Sequence, residues 1–213
     1  MISYELPAPS RQFTAQVARC HDTVHRIVRL YPNGIEGNHR LYIAAAFSSQ
    51  AMEHFRAILI LCESRVANGS AFTLLRPLVE AVVRGEWILR CATDPKFVGI
   101  CNGTARFPKF QVMAVALDEH HVSCDYASGP YFAAFTEAFS ALSGYTHTGV
   151  EQMAHRFQND GAIGPTYPEK TITGLMNEAE KIVVRHFALF AQIRGFNDVA
   201  TALLAPYDAA SDS

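Results

Sequence analysis

An all-α, single-domain helical bundle is the fold the sequence predicts, on three observations. Apolar residues recur with helical spacing almost throughout, and the clusters of Gly, Pro and Asn that could break a helix are few. The 213 residues are 49% apolar and only 18% charged, which is far from a disordered or low-complexity composition. At ~150 residues per domain, that length suits one domain with a full core, spanning residues 1–213. Its core is expected over about 11–195, followed by a short helix at 197–204 and a polar tail.

The first helix is expected over 11–30, with Ser10 as N-cap and Tyr31-Pro32-Asn33-Gly34 as its stop. Its wheel gathers Phe13, Val17, Cys20, Val24, Ile27 and Val28 on one side and Arg11, Arg19, Arg26 and Arg29 on the other. That basic side reads as a solvated face or as a track for phosphates. A second helix, over 38–67, sets Ser48, Gln50, Glu53, His54 and Arg56 among apolar residues, and Asn68-Gly69-Ser70 closes it. Ser70 is then placed to cap a third helix over 71–91.

The third helix carries a broad apolar face of Leu74, Leu78, Ala81, Val82, Gly85, Ile88 and Leu89. Arg76, Glu80, Arg84 and Trp87 share a narrow stripe beside it. Pro77 removes one hydrogen bond from the ladder and is expected to kink the helix. A fourth helix follows over 95–123, with a break near 106–108. After a loop at 125–130, helical segments are expected over 131–143 and 150–157, separated by Gly144-Tyr145-Thr146-His147-Thr148-Gly149. A loop at 159–168, either a lid or a plain solvent loop, precedes a strongly amphipathic helix over 169–194. That helix turns Leu175, Ala179, Ile182, Val183, His186, Phe187, Phe190 and Ile193 inward.

The net charge is −2, which argues against a broad, non-specific grip on nucleic acid but leaves room for a local phosphate site. Of the 18 cationic residues, only Lys96, Lys109, Lys170 and Lys181 are lysine. The arginine bias favours bidentate contact with carboxylate or phosphate, although genome composition alone produces the same bias. Charged residues average about 25% of soluble proteins, so the lower share here suggests apolar surface that meets a second copy, as in a homodimer. Five cysteines with no CxxC pair fit a reducing, cytoplasmic setting. The first ten residues do not read as a secretory signal, and no apolar run is long enough to span a membrane.

Three constellations can carry chemistry. Arg76, Glu80 and Arg84 stand at i, i+4 and i+8 and can form one ion network beside Trp87; such a network is either an exposed row of pairs or a partly buried site for an anion. In the Gly144 to Gly149 segment, His147 is placed to act as a general acid or base, or else to satisfy carbonyls freed at a helix junction, with Tyr145 beside it. His21 and His25 next to Cys20, and the group His120, His121, Cys124 and Asp125, have ligand-like spacing, yet neither supplies three ligands on one face. No metal and no cofactor is therefore assigned.

The residues Ala51-Met52-Glu53-His54-Phe55, the run Leu74-Leu75-Arg76-Pro77-Leu78-Val79-Glu80 to Trp87, and the later Ser143-Gly144-Tyr145-Thr146-His147 resemble an uncharacterised family of bacterial helical proteins. An LLRxLxE helix and a downstream SxxxH segment recur in that family, which is similar to HEPN-like four-helix bundles. The resemblance implies a metal-independent ribonuclease or nucleotide sensor of stress or phage defence. His147 would take the proton of an RNA 2′-hydroxyl, while Arg76 or Arg84 would stabilise charge on the phosphate. Glu80 would complete the polar centre, with Tyr145, Trp87, Glu53 and His54 as binding residues. The Arg–His spacing typical of such ribonucleases occurs here as Arg19 to His25, in the first helix. The alternatives are a non-catalytic module for a small anionic ligand or a protein partner, and a metal-dependent helical-bundle enzyme.

Overall fold

The computed structural model describes residues 8–31, 37–123, 153–156 and 167–208. Among them are seven helices and no strand, so the all-α bundle is the observed class. They are α1 (Arg11–Leu30), α2 (His39–Ser64), α3 (Asn68–Arg90), α4 (Asp94–Cys101), α5 (Phe110–Ser123), α6 (Glu169–Ile193) and α7 (Asn197–Asp208). The helix expected over 131–143, together with Tyr145 and His147, lies outside the described residues, and of the segment expected over 150–157 only 153–156 are described.

Local chemistry accounts for most ends. The Ser10 Oγ accepts a hydrogen bond from the Phe13 N–H at 3.1 Å, and the Asn38 side chain does the same for Leu41 at 2.9 Å, so α1 and α2 begin at side-chain caps. α2 stops at Arg65, whose φ of 59° places it in the left-handed region that ends helices. α3 begins three residues before the predicted start and has no side-chain cap, so Ser70 lies inside its first turn rather than ahead of it. It runs on through Pro77. The predicted fourth helix is two helices, because the chain leaves helical geometry from Asn102 to Lys109. α7 continues to Asp208, four residues past its predicted end.

Pairs of contacts fix the directions. Ser10 bonds Glu169 and Arg19 bonds Glu180, so α1 and α6 run parallel. Arg65 meets Glu169 while Ser48 meets His186, which makes α2 antiparallel to α6. The short link at 65–67 folds α3 back along α2. A Cβ built on Gly85 would stand 3.0 Å from the Phe47 Cβ and 3.4 Å from the Ala44 carbonyl oxygen; glycine lets α3 pack closely against α2 there. One apolar cluster draws on all seven helices, with Ile27, Phe55, Leu78, Phe97, Met113, Met176 and Leu203 among its buried members. α3 is covered over most of its circumference, since Val79, Val83 and Glu86 are buried as well as Leu78, Ala81, Val82, Gly85 and Ile88 of its predicted apolar face, whose Leu74 and Leu89 are half-buried. Val28 and Ile193, expected inward, are exposed at the last turns of α1 and α6.

Candidate functional site

Helical spacing builds the first polar group. On α3 the Arg76 Nε donates to the Glu80 Oε1 at 3.1 Å and an Arg84 terminal nitrogen donates to the Glu80 Oε2 at 2.8 Å, so one carboxylate is shared by two guanidiniums. The row is half-buried: side-chain exposure is 21%, 22% and 38% for Arg76, Glu80 and Arg84. An aromatic set stands at its end. The Arg84 guanidinium lies over the Phe107 ring at 5.5 Å, and Phe107 in turn meets Phe47 at 5.7 Å and the buried Trp87 at 6.2 Å. The buried Arg84 Nε has no hydrogen-bond acceptor among the described residues. Arg84 thus spends one terminal-nitrogen donor on Glu80 while its guanidinium, 38% exposed, lies beside an aromatic surface.

The remaining predicted site residues are placed differently. Glu53 is exposed and His54 half-buried on α2, and neither is hydrogen-bonded to the row among the described residues. Burial holds the His54 imidazole below its ordinary value, against the opposing pull of Glu53. Tyr145 and His147 lie outside the described residues. Of the Arg19–His25 pair, Arg19 is committed to α6: it bonds Glu180 at 2.8 Å and Asn177 at 2.8 Å. The basic side of α1 is thus partly a docking surface for α6 rather than an open phosphate track.

A second polar group was not assembled from the sequence. The Ser48 Oγ lies 2.8 Å from the His186 Nε2, and the His186 Nδ1 lies 2.9 Å from the Glu86 Oε1. The three are 3%, 1% and 2% exposed and come from α2, α6 and α3. The order hydroxyl, imidazole, carboxylate is that of a nucleophile, its base and an orienting acid. The surroundings are not those of a hydrolase. Ser48 sits in mid-helix, where backbone N–H groups are spent on the helical ladder, and its hydroxyl also contacts the Ala44 carbonyl at 3.2 Å. What the group does is join three helices through a buried acid–base pair. The sequence signals were a serine and an inward histidine among apolar neighbours, together with Glu86 on a helix buried almost all round.

A third group surrounds Glu180, which is fully buried and accepts from the Thr23 hydroxyl at 2.7 Å and the Arg19 Nε at 3.0 Å. Burial, seconded by Glu180, pushes the Cys20 thiol up to about 12, and burial does the same to Cys62. Both remain thiols at neutral pH, poor nucleophiles and poor metal ligands. His21 contacts Glu63 at 3.2 Å instead of pairing with His25, and among the described residues no three His, Cys, Asp or Glu side chains converge as a metal site. The His120 group is only partly described, since Cys124 and Asp125 lie outside.

Residues 48–212 match the model of a family described as a family of unknown function, DUF6988. The match covers well over half of the chain and contains the arginine row, Ser48, Glu86 and His186. No curated protein and no solved structure matches.

Proposed function

The chain belongs to this family of unknown function, and we propose, from its own geometry, that it is an anion-binding helical-bundle module whose Arg84 end of the Arg76–Glu80–Arg84 row takes a phosphate group of RNA or of a nucleotide. The observation that carries this reading is the half-exposed Arg84 guanidinium over the Phe107 ring, whose terminal nitrogens make one contact among the described residues, to Glu80. A planar fork of donors matches the oxygens of a phosphate, and the partial burial strengthens each contact relative to bulk water. Glu80 holds both arginines in place so that little side-chain entropy is lost on binding.

RNA cleavage in the HEPN-like manner adds one step to this reading: His147 removes the 2′-hydroxyl proton while Arg84 or Arg76 steadies the phosphate. Incubating a mixed RNA pool with wild type, Arg84→Ala and His147→Ala, with and without EDTA, tests it. Cleavage that survives EDTA and disappears in both folded variants supports a nuclease. Binding without cleavage supports a sensor or ligand module, and cleavage lost only with EDTA redirects attention to the His120 group.

A cytoplasmic homodimer completes the proposal. The described cysteines Cys20, Cys62, Cys91 and Cys101 are all free, as a reducing compartment would keep them. Val98, Val112 and Val115 of α4 and α5 are each more than half exposed, apolar surface that a second copy would cover. Among the described residues no helix is long and apolar enough to cross a membrane.

A further inference from the structure

Two exposed cations flank the ring that Arg84 faces. Phe107 sits in the link between α4 and α5, residues 102–109, one residue after Arg106 and two before Lys109, so their Cα atoms lie within about 4 and 7 Å of its own. Arg106 and Lys109 are both exposed, and among the described residues neither stands in an ion pair. The first turn of α5, which follows Lys109, holds no acidic residue that would neutralise it.

The link is held by its own hydrogen bonds and contacts. The Gly99 carbonyl oxygen accepts from the Thr104 N–H at 2.8 Å, the Ala105 N–H at 2.9 Å and the Thr104 hydroxyl at 3.2 Å. A Cβ on Gly99 would stand 2.9 Å from the Ala105 Cβ, and Gly103 holds a φ of 72°, which favours glycine. Beyond that turn, Phe107 makes edge contacts with Phe47 and Trp87, and Pro108 restricts its backbone. A segment held this way loses little freedom when a ligand docks on it. Glu80 sets the direction in which a bound anion can extend from Arg84. It lies one turn before Arg84 on α3, whereas Phe107 also meets Trp87, three residues after Arg84, so the carboxylate and the link stand toward opposite ends of the helix. Toward Arg76 a second phosphate is repelled by Glu80; toward Phe107 it enters the segment that carries Arg106 and Lys109.

We propose that the 102–109 link is the second half of the anion site, and that the ligand carries two or more linked phosphates, one on Arg84 and the next on Arg106 and Lys109. This rests on the reading that Arg84 takes a phosphate. A guanidinium fork and an ammonium group hold phosphate oxygens through charge-assisted hydrogen bonds, whatever the phosphates are attached to. The same chemistry is therefore offered by a nucleoside triphosphate and by single-stranded RNA. A lone phosphate reaches only one half of the site and gains nothing from the other.

Titrations of the whole chain at one fixed ionic strength measure the affinities of inorganic phosphate, a nucleoside triphosphate and a single-stranded RNA. They compare wild type with Arg106→Ala/Lys109→Ala, with Arg84→Ala, and with Lys170→Ala/Lys181→Ala, which removes two exposed charges from α6 instead. Wild type is expected to bind the triphosphate or the RNA more tightly than phosphate. Arg106→Ala/Lys109→Ala should weaken that ligand by about tenfold, while its phosphate affinity, and every affinity of the α6 variant, stays within about twofold of wild type. A loss with the triphosphate identifies a nucleotide as the source of the phosphates, and a loss with RNA identifies a strand. Unchanged affinity for both in Arg106→Ala/Lys109→Ala, or an equal loss in the α6 variant, overturns the second half of the site; Arg84 keeps its role there if Arg84→Ala still weakens phosphate. No binding of any of the three by wild type, or affinities that Arg84→Ala leaves unchanged, overturns both halves together.

Discussion

Truncating Arg84 separates ligand contact from stability at a single residue. Its link to Glu80 is a half-exposed i,i+4 pair, worth ~0.3–0.5 kcal/mol, so Arg84→Ala is expected to shift the thermal midpoint by no more than about a few degrees. The buried groups behave in the opposite way. Glu86→Ala leaves the His186 ring without its acid partner in the core, and a loss of about 3–5 kcal/mol in denaturant unfolding is expected. Ser48→Ala removes one neutral hydrogen bond and should cost only ~1–2 kcal/mol. Comparable losses for the two variants would show that the three residues do not act as the connected chain their distances describe. The arginine row was legible in the sequence because its partners are four residues apart on one helix. The Ser48–His186–Glu86 group was not, because its members are separated by 138 and 100 residues, and only the packing of three helices brings them together.

At the scale of the helix, ends written in side-chain chemistry were readable and ends set by packing were not. Ser10 marked the start of α1, whereas α3 begins at Asn68 without a side-chain cap. The inward set of α6 was largely correct because its apolar stripe is regular, but Glu180 broke the pattern; its partners, the Arg19 guanidinium and the Thr23 hydroxyl, belong to α1. Two predictions belong here. Gly85→Ala places a methyl group 3.0 Å from the Phe47 Cβ, so the α2–α3 contact must open, and about 1–3 kcal/mol of stability should be lost in urea unfolding. At the start of α6, the Glu169 carboxyl is held below its ordinary value, first by its hydrogen bonds from Ser10 and also by Arg65. A lowered value means that the contact contributes above pH ~4.3 and is lost as the pH falls below it. The thermal midpoint of wild type should therefore fall toward that of Glu169→Gln on acidification, and parallel curves would contradict the assignment.

For the molecule as a whole, two polar groups lie on different sides of α3. One side is sealed into the bundle and carries Glu86, bonded to His186, while the other bears the half-buried arginine row beside Phe107. The proposed function stands on phosphate recognition by Arg84, in a row whose ion pairs are only half-buried. The most direct test is equilibrium binding of a fluorescent single-stranded RNA and of a nucleotide to wild type and to Arg84→Ala, by anisotropy at fixed low salt. Phosphate recognition by Arg84 predicts that wild type binds and that Arg84→Ala binds at least about tenfold more weakly, as expected when one charge-assisted contact worth ~1.5–3 kcal/mol is lost. The thermal midpoint of the variant should stay close to that of wild type. Equal affinities for the two proteins, or no binding by either, would contradict it.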